Sequence, residues 1–357
     1  GRQSNSVYTS SVAGADVHSA LFPIDAPEQS QPLDLPVTRA NLAVLVDNSH
    51  CYTTESAQGY PSLICGPDGI DLPHPPVFNA LQTERIDCVS KDGTKIVAYL
   101  YQHRDAPSNA PLMVNVHGGP AGHFPHFRSD AAGFTRYPFR YLLFAGYKVL
   151  LPLFRGTLGF GDEFSSANIL QQGCADLDDV IASIEAVKKD GGVDEAAHVG
   201  IFGGSYGGYM TMRALSRYPQ LFKVGVAEYG FLAMRLMSLE GGDLTYELEY
   251  IGDIEWPLTE EAQVSDVINE LHKIKAPTLF LHGEKDDICP LSQSMIAYRT
   301  LQSVSVPTGL VVYPDEYHGF EQKKHLEDRL RRILLWLDVF LPAKALPSDD
   351  EEQQQQE

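Results

Sequence analysis

Ser205 stands in the run "IFGGSYGGYM" (201–210), with Gly203 and Gly204 before it and Gly207 and Gly208 close behind. A serine hydroxyl becomes a competent nucleophile only when a base takes its proton, so a histidine and a carboxylate must be found to serve it. The Gly-x-Ser-x-Gly pattern follows the apolar run "HVGIF" (198–202) and precedes a helical pattern, which is the strand, turn and helix of a nucleophile elbow. On so sharp a turn, bulk at Gly203 or Gly207 would collide with the crossing backbone, and Gly208 lets the new helix approach the sheet. The bland alternative is a glycine-rich turn with an incidental serine.

Both partners lie downstream. "LFLHGEKDDICP" (279–290) ends a strand and opens a loop with adjacent acids, Asp286 and Asp287, either of which could hold an imidazole. "LVVYPDEYHGF" (310–320) ends another strand and delivers His318, with Gly319 freeing the backbone after it. The chain order Ser, Asp, His is that of α/β-hydrolases, and strand ends are where α/β sheets place their sites. In "NVHGGPAG" (115–122) a glycine pair frees a backbone N–H to point at a developing oxyanion. The N–H of Tyr206, directly after the nucleophile, would be the second donor. His117 precedes the serine in the chain, which favours a role in shaping the loop over one as the base.

Elements able to position these groups are legible from about residue 90 onward. Strand patterns at 95–102, 111–117, 146–154, 198–202, 223–229, 277–282 and 309–314 alternate with helical ones. The helices are "DLDDVIASIEAVKKD" from Asp176, "YMTMRALSRYP" ending at Pro219, "SQSMIAYRTLQ" from Ser292 and "LEDRLRRILLWLDVFL" closing at Leu341. This alternation predicts a mostly parallel central sheet with helices on both faces. The first 85 residues, rich in Pro, Ser, Asn and Asp, offer only short β candidates such as "ANLAVLVD" (40–47) and "PSLICG" (61–66). They are read as a β-rich, irregular segment in which a strand or two of a blade-like repeat could hide.

Composition narrows the function classes. With 357 residues, 43% hydrophobic and 21% charged, the chain can bury one large core. A net charge of -20 would repel phosphate backbones and anionic lipid, so neither nucleic acid nor a membrane is an expected partner. Part of that charge sits in "SDDEEQQQQE" (348–357), which reads as a solvated tail. The longest apolar runs are broken by Lys148 and Asp338 and are too short to cross a bilayer. Five scattered cysteines without a CxxC pair, and no Asn-x-Ser/Thr site, point to a reducing compartment and a cytoplasmic location. The start at Gly1 leaves room for a removed leader or an upstream domain.

Taken in order, "HGGPAG", "LFRGTLGFGDEF" (153–164), "GGSYGGYM", "HGEKDDICP" and "YPDEYHGF" resemble the prolyl oligopeptidase family of serine peptidases over roughly residues 85–342. The acylaminoacyl-peptidase-like and dipeptidyl-peptidase-like branch is the nearest in kind. The resemblance implies an α/β-hydrolase fold at 86–345 and makes the β-rich, irregular segment at 1–85 a candidate remnant of a β-propeller, while composition alone marks 346–357 as an acidic, Gln-rich tail. It implies Ser205 as nucleophile, His318 as general base and then acid, and Asp286 as the orienting carboxylate, with Asp287 a bystander. It also implies an oxyanion hole from the N–H groups of Gly119 and Tyr206, and a role for Arg155 that is either structural or a substrate contact. No metal or organic cofactor is expected. The substrate would be a short peptide, and homo-oligomerisation stays open.

The sequence departs from this pattern in two places. Too few residues precede the hydrolase region to form a whole propeller. Two residues after Asp286, where many relatives carry an Arg or Asn that contacts the substrate backbone, stands Ile288. Both departures keep a carboxylesterase with the same triad in view, beside a catalytically inactive binding relative.

Overall fold

The structure is a computed structural model. It describes residues 80–122, 138–194, 198–241, 248–250, 265–344 and 346, together with the backbone of six strands between residues 6 and 65. Those six form two antiparallel three-stranded sheets. The first holds β1 (Ser6–Ala13), β2 (Asp16–Pro23) and β3 (Gln31–Leu33). The second holds β4 (Arg39–Val46), β5 (Ser49–Glu55) and β6 (Pro61–Cys65). The runs expected at 40–47 and 61–66 are β4 and β6. The acidic tail expected at the C-terminus lies outside the described residues apart from Leu346.

Eight further strands make one sheet in the order β14-β13-β12-β11-β9-β10-β8-β7. They are β7 (Leu81–Val89), β8 (Lys95–His103), β9 (Leu112–Val116) and β10 (Lys148–Leu153). The rest are β11 (Val199–Gly204), β12 (Phe222–Glu228), β13 (Thr278–Gly283) and β14 (Thr308–Tyr313). From β14 across to β10 every neighbouring pair is parallel, whereas β8 runs antiparallel to both β10 and β7. All seven strand patterns expected after residue 90 are present. β7 is the addition: only Ile86 and Cys88 of its "LQTERIDCV" turn inward, so its alternation is faint. The inner strands β9, β10, β11 and β13 are buried at every position, which is why they read as continuous apolar runs.

Helices cover both faces. On one side α3 (Ala175–Lys189), α4 (Tyr206–Arg217) and α6 (Leu291–Ser303) pack Ile184, Met210 and Leu301 against Leu112, Ile201 and Phe280. On the other, α1 (Phe139–Phe144) and α7 (Lys323–Phe340) bring Leu142, Ile333 and Leu337 against Met113, Phe202 and Leu279. The short α2 (Asp162–Ser166) and α5 (Met234–Glu240) were not apparent as periodic patterns. No helix among the described residues is long and apolar enough to cross a membrane.

The connections fix where a site must form. From β9 the chain moves outward to β10, then returns to the other side of β9 as β11. That reversal opens a crevice beyond the carboxyl ends of β9 and β11, where the loops diverge instead of covering each other.

Candidate active site

Ser205 sits in that crevice, at the end of β11 and the start of α4. Its φ of 60° is in the left-handed region, a conformation a serine holds only when its surroundings impose it. The glycines impose it. A Cβ on Gly203 would come within 2.3 Å of the Val116 carbonyl oxygen, and one on Gly207 within 2.0 Å of the same atom. A Cβ on Gly208 would meet the Glu228 carbonyl at 2.6 Å, so α4 can lie this close to the sheet only without side chains there. The Ser205 N–H donates to the Glu228 carbonyl at 3.0 Å, fastening the elbow to β12.

His318 and Asp286 arrive from the loops after β14 and β13. The His318 Nε2 lies 2.8 Å from Ser205 Oγ, and its Nδ1 lies 3.1 and 3.0 Å from the two Asp286 oxygens. An ionised carboxylate only accepts, so Nδ1 carries the proton and the Nε2 lone pair faces the serine hydroxyl. This arrangement can draw a proton from Ser205. Asp286 is buried, which by itself would raise its carboxyl, but hydrogen bonds from His282 and His318 outweigh burial and bring it down to about 2. Its Oδ1 also accepts the N–H groups of Ile288 at 3.0 Å and Cys289 at 2.8 Å. Asp287, by contrast, is exposed.

Two buried carboxylates brace the frame. Glu228 is clamped by Arg329 of α7, with one guanidinium contact at 2.6 Å. Glu316, in the His318 loop, accepts the N–H groups of Glu321 and Gln322, each at 3.0 Å, and faces His325 Nδ1 at 2.7 Å. One helix therefore anchors both the strand below the nucleophile and the loop that carries the histidine. The edge of the Tyr229 ring packs against His318, with centroids 5.2 Å apart.

The glycine loop after β9 closes the other wall. An added Cβ on Gly118 would touch Ser205 Cβ at 3.4 Å, so this loop lies directly against the elbow. Gly119, with φ +124°, lines a cavity of about 270 Å³ together with Ser205 and Tyr206. As the first residue of α4, Tyr206 has no carbonyl one turn back to receive its N–H. His117 is wholly buried, stacked 4.1 Å from Phe154 with its ring nitrogens 2.9 Å from the Gly118 carbonyl and Thr157 Oγ1, so it shapes the loop. Arg155 is engaged twice, by Asp179 at 2.7 and 2.8 Å and by Asp92 at 2.7 Å, and it does not line the cavity.

Beyond Pro120 of the same loop, the remaining cavity wall is apolar: Phe231, Met234, Met237, Tyr250, Ile288 and Cys289. The run "EYGFLAMRLM" (228–237) had suited either a pocket or the core, and three of its residues face the cavity. Tyr250 had no signal in the sequence, because nothing local ties it to a serine 45 residues earlier in the chain (250 against 205). Among the described residues no cluster of His, Cys, Asp and Glu could hold a metal ion.

Behind Tyr206, its hydroxyl donates to the wholly buried Asp176, which also receives Asn168 Nδ2. Desolvation lifts the Asp176 carboxyl to about 6, against the lowering effect of those two hydrogen bonds. The folded chain therefore holds this proton to a higher pH than the unfolded chain does. Its contribution to stability is complete below the ordinary value of 3.8 and is lost as pH climbs towards about 6. Asp176→Asn, neutral throughout, should remove that slope. Relative to wild type, its urea midpoint should rise between about pH 4 and pH 7 by an amount worth on the order of 2 to 3 kcal/mol; parallel curves would refute the assignment.

An elbow serine at a sheet switch point, with an acid and a histidine on later strand ends, defines the α/β-hydrolase class. Within that class, the sequence profile of the prolyl oligopeptidase family matches residues 134–342, and the chain belongs to this family. It is 29% identical over 272 residues to a Bacillus subtilis protein described as the uncharacterized peptidase YuxL, covering 72% of this chain and 39% of that one. It is 30% identical over 262 residues to the dipeptidyl aminopeptidase BIII of Pseudoxanthomonas mexicana, covering 67% and 36%. The solved acylaminoacyl peptidase of Pyrococcus horikoshii superposes with a TM-score of 0.80 at 22% identity, over 98% of this chain and 57% of that one. The matched region is thus well under half the length of either of these curated relatives.

Proposed function

We propose that this chain carries the catalytic part of a serine peptidase that hydrolyses short peptides near their N-terminus, releasing single residues, dipeptides or acylated residues. The observation that carries this reading is the unbroken relay from Ser205 through His318 to Asp286, opening on an apolar cavity. Ser205 Oγ attacks the scissile carbonyl as His318 Nε2 takes its proton, and Asp286 steadies the imidazolium that results. Negative charge then grows on the carbonyl oxygen, where the N–H groups of Gly119 and Tyr206 receive it. His318 returns the proton to the leaving amine, and water cleaves the acyl-enzyme by the same steps in reverse.

A cavity of about 270 Å³ with no charged lining residue suits one large apolar side chain on the acyl side of the cleaved bond. Aminoacyl-anilides bearing Phe, Leu or Met should exceed those bearing Asp or Glu in kcat/KM by about a hundredfold or more, since a buried unpaired carboxylate would meet no partner there. Equal rates would reject this role for the cavity.

A carboxylesterase is the second reading, and Ile288 is what favours it. At 45% exposure on the cavity rim it offers an apolar surface where an Arg or Asn would grip a peptide backbone. Turnover of aminoacyl-anilides beside short acyl esters separates the two. Ester cleavage with no anilide cleavage would replace the first reading by the second, and failure of a fluorophosphonate to label Ser205 would remove both.

We assign residues 1–85 to the end of a blade-repeat domain, 86–345 to the hydrolase and 346–357 to a solvated tail. The two small antiparallel sheets and the likeness to the Pyrococcus enzyme over 98% of the chain support the first of these. The net charge of -20 argues against nucleic acid as a partner, and five scattered cysteines without a CxxC pair are the support for a reducing, cytoplasmic setting.

A further inference from the structure

A second histidine stands behind the triad. His282, one residue before the end of β13, is wholly buried; its partners are Ser294, Cys289 and Asp286, and it does not itself line the cavity. Its Nε2 lies 2.7 Å from the Cys289 carbonyl and 3.4 Å from Asp286 Oδ2. Both neighbours only accept, so Nε2 carries the proton. Its Nδ1 lies 2.7 Å from the hydroxyl of Ser294 on α6, itself buried, and that hydroxyl is the donor which fixes the tautomer.

These contacts close a ring around the catalytic turn. His282 reaches forward to the Cys289 carbonyl, and the Cys289 N–H reaches back to Asp286 Oδ1. The carboxylate is held between two imidazoles, one inside the core and one facing the serine. The backbone of the turn is also held by the Glu284 N–H on the Tyr313 carbonyl at 2.9 Å and the Lys285 N–H on the Glu316 carbonyl at 2.8 Å, so what the inner imidazole adds is a contact on the core side of the Asp286 carboxylate, at Oδ2, and a brace on Cys289. The same carbonyl anchor fixes Cys289 and Ile288, which line the cavity.

We propose that His282, with its tautomer set by Ser294, is a positioning residue that holds Asp286 in register with His318. This inference rests on the triad reading given above. It is tested on the full chain by a double-mutant cycle. His282→Leu should lower kcat on a cleavable anilide or ester by about ten- to a hundredfold, the worth of one lost hydrogen bond to a charged group. KM should change little. In an Asp286→Asn background, where there is no carboxylate left to orient, the same substitution should cost less than about threefold. His282→Gln, which places an N–H near the Nε2 position, should recover most of the loss, and Ser294→Ala should show a smaller loss of the same kind.

Equal loss from His282→Leu in both backgrounds would mean a merely structural role and overturn the proposal. So would a His282→Gln variant as impaired as the Leu variant. If His282→Leu fails to fold, the cycle is run with Ser294→Ala in the same two backgrounds, and an equal loss in both overturns the proposal. Failure of the wild-type chain to label with a fluorophosphonate would instead refute the underlying triad reading.

Discussion

Ser205→Ala should lower kcat by about a million-fold while leaving the fold intact. The substitution deletes only the hydroxyl, and the strained φ of 60° is imposed by the glycines on either side, so the elbow keeps its shape. Without Oγ no acyl-enzyme forms, and the imidazole has no proton to take. What remains is the weak stabilisation the cavity and backbone donors give to direct attack by water, so a small residual rate is expected. Burst kinetics with an activated ester measure this: the burst should vanish in the variant, and a loss of only tenfold would mean that another nucleophile does the work.

Asp286→Asn should lower kcat by about 10⁴-fold with a modest change in KM. The carboxylate accepts from His318 Nδ1, from the Ile288 and Cys289 amides and from the neighbourhood of His282. An amide of the same shape keeps some of these bonds but presents N–H where an acceptor is needed. His318 can then satisfy itself only by turning its Nδ1 lone pair towards the amide, which puts the proton on Nε2 and leaves no base facing Ser205. The acid side of the problem changes too. In the wild type the Asp286 carboxyl, held at about 2, keeps its charge down to strongly acidic pH, so its contribution to stability is present above the ordinary value of 3.8 and is lost as pH falls towards about 2. The variant has no such dependence. Comparing kcat on an ester over the pH range of activity, alongside acid unfolding, tests both parts.

Much of this was legible in the sequence because it depends on local signals. Consecutive apolar runs disclosed the buried parallel strands, and Gly203, Gly207 and Gly208 disclosed the elbow, since each lacks a side chain for a reason its own neighbourhood supplies. The choice between Asp286 and Asp287 was not local. It follows from which acid turns into the sheet end towards His318, and only the family resemblance favoured the first. β7 escaped notice because an edge strand with one wet face carries few apolar residues. The cavity wall was half legible: Phe231, Met234 and Met237 are as apolar as any core residues, and only the fold says which of them look outward. Buried polar anchors such as Asp176, His282 and Arg329 were invisible for a different reason. A charged residue in a helix or strand reads as a solvated face until its partner, up to 101 residues distant in the Glu228 and Arg329 pair, is known.

That last pair bears on how the molecule fails. Because α7 grips the β12 end beneath Ser205 and is itself started by the histidine loop, losing the Arg329 side of that grip while the helix stays packed would leave Glu228 as a lone buried charge. Breaking such a pair from one side costs about 3–5 kcal/mol, a large share of what holds a domain together. The closing helix therefore behaves as a latch whose release would part Ser205 from His318, so the chain should not linger in a half-open form that keeps the relay together.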